Sequence, residues 1–531
     1  MIDNSHAPYG SARFATVQEV AKAGMFRQTP DSVMVGYVAG RPIFYDGMGG
    51  ILSTAGARAG KLTDQIGYNA VPGICDHSMI LLDPKGEIAS VARNQTADGR
   101  INIFLNPTGM HGLPGNRMNP VGFVRHGSPT LQADLKVFCE NAITLSGSAG
   151  GQYFELRGRE FLEGICLTLV KLKGVLTLRD LYDVINTIPG GGQQWLSFAF
   201  EMHESGYPIS KRIEEEIAKS RNDSSGGFRG ILGEMFKGFS ALSDPVLMKA
   251  VSPPFDFSLE QLCSGDQKYN LSMMVPEEFI GTWATVIKAV LVAAKLYKSR
   301  APSAPRQTWI LDECAALGAF PLVMELYSIG AGRGIRPWAF FQSSEQMKKV
   351  GPGAETIIPS SAACRSYFAT RDLPTAEMLS RQLGSQTLEY IDPANRQTAR
   401  HARNKAMHAF LNGKDAFEAG LHLAHHGQAV DLPRQIQRRL REPNEILSTP
   451  RDRQYIWTDD VAHPIYAERK PYYEQRFMAG RYFPNPFHPP HDRVRVKTRF
   501  GHRWMKVIRE PVPSQYAHHP QYADGFWERL A

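Results

Sequence analysis

Two short stretches hold residues whose types and spacing could handle a phosphate ester. In Thr54 to Asp64, "TAGARAGKLTD", Gly60 and Lys61 close a turn made of Ala55, Gly56, Ala57, Arg58 and Ala59. A helix that starts after such a turn presents free backbone N–H groups and a positive dipole end to phosphate oxygens, and a lysine adds a point charge. Against the pattern G-x-x-x-x-G-K-[ST], the chain has Ala55 for the first glycine and Leu62 for the hydroxyl that ordinarily ligates Mg²⁺. Thr63 comes one residue late, about 100° round the helix. An ordinary strand-to-helix glycine turn is the alternative. In Trp309 to Glu313, "WILDE", an apolar run ends in two carboxylates. Asp312 could hold Mg²⁺, directly or through water, and Glu313 could orient an attacking water. A pair of solvated charges at a strand end is the bland reading.

Two more stretches sit at the ends of apolar runs. "LLDPKGE" (Leu81 to Glu87) turns at Asp83 and Pro84, which is ordinary turn chemistry. Gln342 ends "WAFFQSS", where it could sense a γ-phosphate; a helix-capping Ser-Ser-Glu-Gln explains the same residues.

Positioning such groups requires strands whose ends converge. "GGILST" (Gly49 to Thr54) before the loop and "SMILLD" (Ser78 to Asp83) after it give the order strand, glycine loop, helix, strand, which is a βαβ unit with strands buried on both faces. Residues 1–125 read as the first part of an α/β domain. From 126 to 250 the periodicity turns helical, in "LQADLKVFCENAITLS", "ELRGREFLEGICLTLVKL" and "RIEEEIAKSR". There "TLRDLYDVINTIP" (Thr177 to Pro189) has a capped start and a proline stop, and "NDSSGGF" (Asn222 to Phe228) reads as a flexible joint. Strand and helix alternate again in 251–445, so an all-α segment interrupts one α/β domain. Residues 446–531 form a closing segment and a basic, aromatic tail.

The 531 residues, 43% apolar and 21% charged, suit a large globular core, and the net charge of +8 allows an anionic partner without choosing one. The six cysteines are scattered singly with no C-x-x-C pair, which suggests neither a disulfide framework nor a zinc ribbon and fits a reducing cytosol. "MIDNSHAPYGSARF" carries no secretory leader. Trp283 to Tyr297, interrupted by Lys288 and Lys295, falls short of the ~20 apolar residues of a spanning helix and reads as a core helix.

Taken together, the order glycine-lysine loop, DPKGE, helical insertion, LDE, GRGIRP, FFQS resembles the TraG-like type IV secretion coupling proteins. "LNPTGMHGLPGNRMNPVGFV" (Leu105 to Val124) and "RDLPTAEMLSRQLGSQT" (Arg371 to Thr387) are similar to further segments of that family, so the likeness covers most of the chain. The resemblance implies a RecA-like P-loop α/β domain with an inserted all-α domain, an ATP and Mg²⁺ requirement, and a hexameric ring with nucleotide between subunits. It implies that Gly60, Lys61 and the loop Ala55–Thr63 bind phosphate, that Asp312 is the Mg²⁺-associated carboxylate, Glu313 the catalytic carboxylate and Gln342 the γ-phosphate sensor. Arg333, Arg336, Arg365 and Arg371 are candidates for an arginine finger. The implied partners are single-stranded DNA with its relaxase, and the secretion channel with its ATPases, at the cytoplasmic face of a bacterial inner membrane. Members of the family usually begin with membrane-spanning helices; with none read here, a soluble form or one in peripheral membrane contact through partners is expected.

In the tail, Arg493, Arg495, Lys497 and Arg499 alternate with Val494, Val496, Thr498 and Phe500, so a strand there would line four cations on one face. Such a stripe suits DNA phosphates or an acidic partner; an edge strand kept soluble by charge is the ordinary reading. Two functions follow: a DNA-stimulated ATP-dependent translocase, favoured by LDE and FFQS, or a non-hydrolysing coupling adaptor that docks substrates through the all-α domain, favoured by Leu62.

Overall fold

A computed structural model describes residues 8–93, 99–145, 149–221, 226–390, 393–412 and 434–531. Its frame is an eleven-stranded mixed sheet. From edge to edge the strands are Arg41–Tyr45, Val33–Val38, Val461–Glu468, Arg453–Thr458, Ala362–Phe368, Gly50–Ala55, Ile335–Phe341, Gln307–Leu311, Ser78–Leu82, Tyr269–Met273 and Ile101–Leu105. The strands from Ala362–Phe368 onward are mutually parallel, and those before it pair antiparallel.

The parallel strands are rich in apolar residues because both faces of the sheet are covered, and Gly50–Ala55, Ser78–Leu82, Gln307–Leu311 and Ile335–Phe341 are buried throughout, including their polar Ser53, Gln307 and Arg336. One face packs with the helical insertion into a continuous core that joins Leu52, Ile80 and Trp309 to Phe138, Phe161 and Leu162. The opposite face packs Ile51, Leu81 and Trp338 against Tyr68, Tyr472 and Val496. Side chains such as Trp309 and Trp338, fully buried, each contribute on the order of 2–3 kcal/mol through burial. The strands predicted on either side of the glycine loop are parallel, but Ile335–Phe341 and Gln307–Leu311 lie between them. The return crossover therefore passes over two strands.

Between the Ile101–Leu105 and Tyr269–Met273 strands run the helices Leu131–Ala142, Ala149–Lys173, Leu178–Thr187, Gln193–His203, Pro208–Ser220, Gly227–Phe239 and Pro245–Ala250. Thr177 caps its helix, its hydroxyl accepting from the Asp180 N–H at 3.0 Å. Of the expected joint Asn222 to Phe228, residues 222–225 lie outside the described residues. The apolar stretch at 283–297 is the helix Ala284–Arg300, most of it buried. No helix among the described residues is long and apolar enough to cross a membrane.

The closing segment supplies two strands of the main sheet, Arg453–Thr458 and Val461–Glu468, and beyond them a three-stranded sheet of Arg493–Thr498, Gly501–Pro511 and Phe526–Leu530. In its first strand Val494 and Val496 turn into the core while Arg493 and Arg495 face outward. Lys497 is half-buried, 3.9 Å from Glu474. The expected fourth cation, Arg499, is not on that face. Thr498 already pairs with Gly501, so Arg499 and Phe500 form the hairpin turn.

Candidate functional site

Because the central strands are parallel, their carboxyl ends share one edge, the position where ligands bind in open α/β sheets. The loop 56–61, Asp83, Asp312 and Gln342 all follow strands directly at that edge.

The loop leaves Ala55 through Gly56, where a Cβ would stand 2.5 Å from the Ala369 carbonyl oxygen, so only glycine fits there. Arg58 and Gly60 take positive φ values of 55° and 84°, natural for glycine and strained for arginine. After Lys61 the chain enters a π-helical turn, Leu62–Ile66, before the α-helical turn Gly67–Ala70. Such turns recur at functional sites. The Leu62 side chain packs against the core under the loop. The Thr63 hydroxyl is spent locally, its one proton shared between the Gly60 carbonyl at 3.1 Å and Asp64 Oδ1 at 2.7 Å.

Lys61 meets the second stretch. Its Nζ donates to Asp312 Oδ1 at 2.8 Å and lies 3.5 Å from Glu313 Oε2, with all three side chains mostly buried. Burial alone would lower the ammonium's pKa; the charges of Asp312 and Glu313 outweigh it and hold it above the usual lysine value. Glu313 stands at φ 60°, ψ 40°, a left-handed conformation that costs a non-glycine residue about 1–3 kcal/mol and is characteristic of working sites. Gln342 holds its carboxylate from the other side, Nε2 donating to Oε1 at 3.1 Å and Oε2 at 3.3 Å. The Gln342 N–H is capped by Gln346 Oε1 at 2.8 Å, so capping chemistry and contact with Glu313 coexist.

Asp83 lies deeper. It is 2% exposed and accepts the Ala89 N–H at 2.8 Å, and burial, with the nearby Asp312 charge as a lesser cause, pushes its carboxyl up to about 7. Its hydrogen bond starts the helix Glu87–Ala92.

Among the arginine candidates, Arg336 is withdrawn into the fold. It is fully buried and donates to the carbonyls of Gly47 and Asp31 at 2.8 and 2.7 Å, so it cannot reach another subunit. Arg333 is exposed but precedes the Ile335–Phe341 strand, at the edge opposite the loop. Arg371 is exposed and follows the Ala362–Phe368 strand, at the loop's edge, while Arg365 is half-buried 5.9 Å from the Trp457 ring.

The residues present fit a nucleoside triphosphate with Mg²⁺: a lysine ammonium, two carboxylates and a glycine loop converge within a few ångströms. Among the described residues no set of three or more His, Cys, Asp or Glu could hold a metal by itself, so a cation here would share its ligands with a phosphate.

Sequence reasoning missed the residues behind the loop. Ser53 donates to Gln65 Oε1 at 2.9 Å, Gln65 Nε2 donates to Ser366 and Gln454 at 3.1 and 3.0 Å, and Gln454 Nε2 donates to the Val35 carbonyl at 2.8 Å. Arg469 donates to the Ala59 carbonyl at 2.7 Å. A glutamine two residues before Ile456 in the Arg453–Thr458 strand, where alternation predicts an apolar residue, was the local signal for Gln454; Arg469 had none.

The profile of the family described as Type IV secretory system Conjugative DNA transfer matches residues 8–409. Two conjugal transfer proteins TraG of Escherichia coli are similar in sequence. One is 23% identical over 437 residues, covering 74% of this chain and 67% of TraG. The other is 24% identical over 440 residues with the same coverage. Among solved structures, the unbound bacterial conjugative coupling protein TrwBΔN70 is alike in fold, with a TM-score of 0.58 at 17% identity, covering 87% of this chain and 97% of that one. TrwB in complex with ADP and Mg²⁺ gives a TM-score of 0.57 at 17% identity, covering 86% and 94%.

Proposed function

Since the chain belongs to the type IV secretory system conjugative DNA transfer family, as a TraG-like coupling protein with a RecA-like P-loop fold, we propose that it uses ATP with Mg²⁺ to drive transfer of DNA or relaxase-bound substrates. The observation that carries this reading is the Lys61 ammonium set between Asp312 and Glu313, with Gln342 on Glu313. TrwB, alike in fold, was solved with ADP and Mg²⁺ and with an ATP analogue, which supports the same ligands here.

In this proposal the loop amides of residues 56–61 and Lys61 hold the phosphates, and Asp312 holds the cation directly or through water. Bound Mg²⁺-ATP would supply the electrophilic γ-phosphate and the charge that screens its oxygens. Glu313 orients the attacking water and takes its proton, and Gln342 fixes the direction of that carboxylate. Lys61 pairs with two neighbouring carboxylates; on meeting phosphate it exchanges one anionic partner for another, so its charge is never left unpaired in a partly buried site.

The active form in this reading is a homo-hexameric ring with nucleotide between subunits. Arg371, exposed at the loop's edge, is the arginine best placed to reach a neighbour. The division into a nucleotide-binding domain in two parts (1–125 and 251–445), an all-α domain (126–250) and a closing segment (446–531) assigns substrate docking to the all-α domain. Peripheral contact with the cytoplasmic face of the inner membrane would come through channel components and their ATPases. The outer face of the C-terminal sheet, with Arg493, Arg495 and Lys506 exposed around the half-exposed Trp504, suits single-stranded DNA, cations tracking phosphates and the ring offering a stacking surface.

The test is ATP hydrolysis by the purified protein with and without single-stranded DNA, with Lys61→Ala and Glu313→Gln as controls. DNA-stimulated hydrolysis lost in both variants supports the motor. Hydrolysis that is absent, or the same in both variants, leaves the adaptor, for which the core-packed Leu62 in place of a cation-binding hydroxyl is the supporting observation.

A further inference from the structure

Arg469 follows the Val461–Glu468 strand, on the antiparallel flank of the sheet, yet its side chain ends behind the phosphate loop. It is 4% exposed. The guanidinium donates to the Ala59 carbonyl at 2.7 Å, lies 3.1 Å from Asp64 Oδ2, and donates to the Arg451 carbonyl. The plane sits 4.1 Å from the centre of the Phe368 ring. Its Nε is buried without a partner, so the group is committed to these contacts at the expense of full hydrogen bonding.

Ala59 is one of two consecutive loop carbonyls held in this way. The Gly60 carbonyl accepts from the Thr63 hydroxyl at 3.1 Å and from the Asp64 N–H at 2.9 Å, and the Thr63 hydroxyl shares its one proton with Asp64. A loop that offers N–H groups to an anion directs its carbonyls elsewhere, and fixing the carbonyls fixes the amides. This loop needs such help. It has Ala55 where a glycine is usual, and Arg58 is held at φ 55°, a conformation that persists only where its surroundings impose it.

We infer that Arg469 is a positioning residue for the phosphate loop: acting through Ala59 and Asp64 it presets the loop amides, and so ties the nucleotide site to the antiparallel flank and C-terminal segment of the same chain. This rests on the proposed reading of residues 55–63 as the phosphate binder. Arginine suits the task because its planar fork meets Ala59 and Asp64 through Nη1 and the Arg451 carbonyl through Nη2 at once, a span that a lysine's single nitrogen cannot match.

The test uses the full chain. Amide hydrogen exchange is followed without nucleotide in the wild type, Arg469→Met and Arg469→Lys, and the affinity for a fluorescent ATP analogue with Mg²⁺ is measured alongside. Losing charged hydrogen bonds should speed exchange of the amides of residues 56–64 by about ten- to a hundred-fold in Arg469→Met and weaken analogue binding about ten-fold, with the Gln307–Leu311 strand unchanged. Arg469→Lys should recover part of both effects. The inference is overturned if loop exchange and affinity stay at wild-type values in both variants, or if exchange rises equally in the Gln307–Leu311 strand, which would mark a general loss of stability. Should Arg469→Met fail to fold, Arg469→Lys decides alone: faster loop exchange with an unchanged central strand supports the inference, and wild-type exchange sinks it. If the wild type binds no analogue and Lys61→Ala changes nothing, the nucleotide reading falls, while the exchange data from the unliganded chain still decide whether Arg469 holds the loop.

Discussion

Along one edge of the sheet, the glycine loop and the carboxylate pair are built in opposite ways. The Asp312–Gln342 side is made by neighbours in sequence: two adjacent parallel strands, Gln307–Leu311 and Ile335–Phe341, end just before Asp312 and Gln342, and Gln342 reaches Glu313 across 29 residues. The Ala55–Thr63 side is held from afar, by Arg469 on Ala59 and by Gln454 on Gln65, the partners 410 and 389 residues apart. A motif whose geometry is fixed by strand register survives intact as a string of letters. A motif whose geometry is fixed by distant side chains can lose its letters and keep its shape.

The largest effect should separate the two sides by function. Glu313→Gln is expected to lower turnover by roughly 10²–10⁴-fold while leaving analogue affinity near wild type, whereas Lys61→Ala should lose binding itself; steady-state hydrolysis set beside equilibrium titration checks this. Equal losses of binding in both variants would break the division of labour.

Next comes the support behind the loop. Gln454→Ala leaves Gln65 Nε2 without its Gln454 acceptor and the Val35 carbonyl without its donor in a fully buried site, and should cost about 2–4 kcal/mol of stability by denaturant unfolding. A cost under 0.5 kcal/mol would show that the loop side does not depend on its distant network.

A smaller effect is pH-dependent. The Asp83 carboxyl is pushed up to about 7 by burial, from an ordinary 3.8. Between about pH 4 and 7 the folded protein then holds a proton that the unfolded chain has released, so stability from this group is full below that window and lost as pH rises through it. Asp83→Asn should therefore raise stability at pH 8 by roughly 1–3 kcal/mol and leave it nearly unchanged at pH 4, read from melting curves at both pH values. Equal effects at the two would rule out a titrating Asp83.

The smallest expected change sharpens the comparison at the missing hydroxyl. Leu62→Ser should tighten Mg²⁺-dependent analogue binding by several-fold, with about 1–2 kcal/mol lost from core packing. No gain in Mg²⁺ dependence would mean that this position does not face the cation even when polar.

The sequence made the carboxylate side legible because an apolar strand followed by Asp-Glu, and another followed by Gln, carry their own punctuation. Fold class, the core helix at Ala284–Arg300 and the caps were legible for the same reason, as local periodicity and side-chain chemistry. What was not legible was long-range. The two strands of the closing segment that enter the main sheet read as lying outside the α/β domain, because antiparallel pairing of Arg453–Thr458 with Ala362–Phe368 and with Val461–Glu468 leaves no mark on these sequences. Arg336 passed for a candidate finger, since only the fold reveals that it spends its donors on Gly47 and Asp31. Arg499 was placed on a strand face because alternation continues one residue past the point where the hairpin turns.

The sheet's strand order also sets a schedule. The hairpin Val33–Val38 and Arg41–Tyr45, made long before the closing segment, joins the rest of the sheet, among the described residues, only through Val461–Glu468. The guanidinium that holds Ala59 arrives 410 residues after it. At ~5–20 residues per second of synthesis, that is a wait of roughly 20–80 s. A nascent chain would thus carry Lys61, and later its carboxylates, outside the ribosome well before its glycine loop is locked. In the proposed reading, nucleotide competence would come only once the Val461–Glu468 strand and Arg469 have been made.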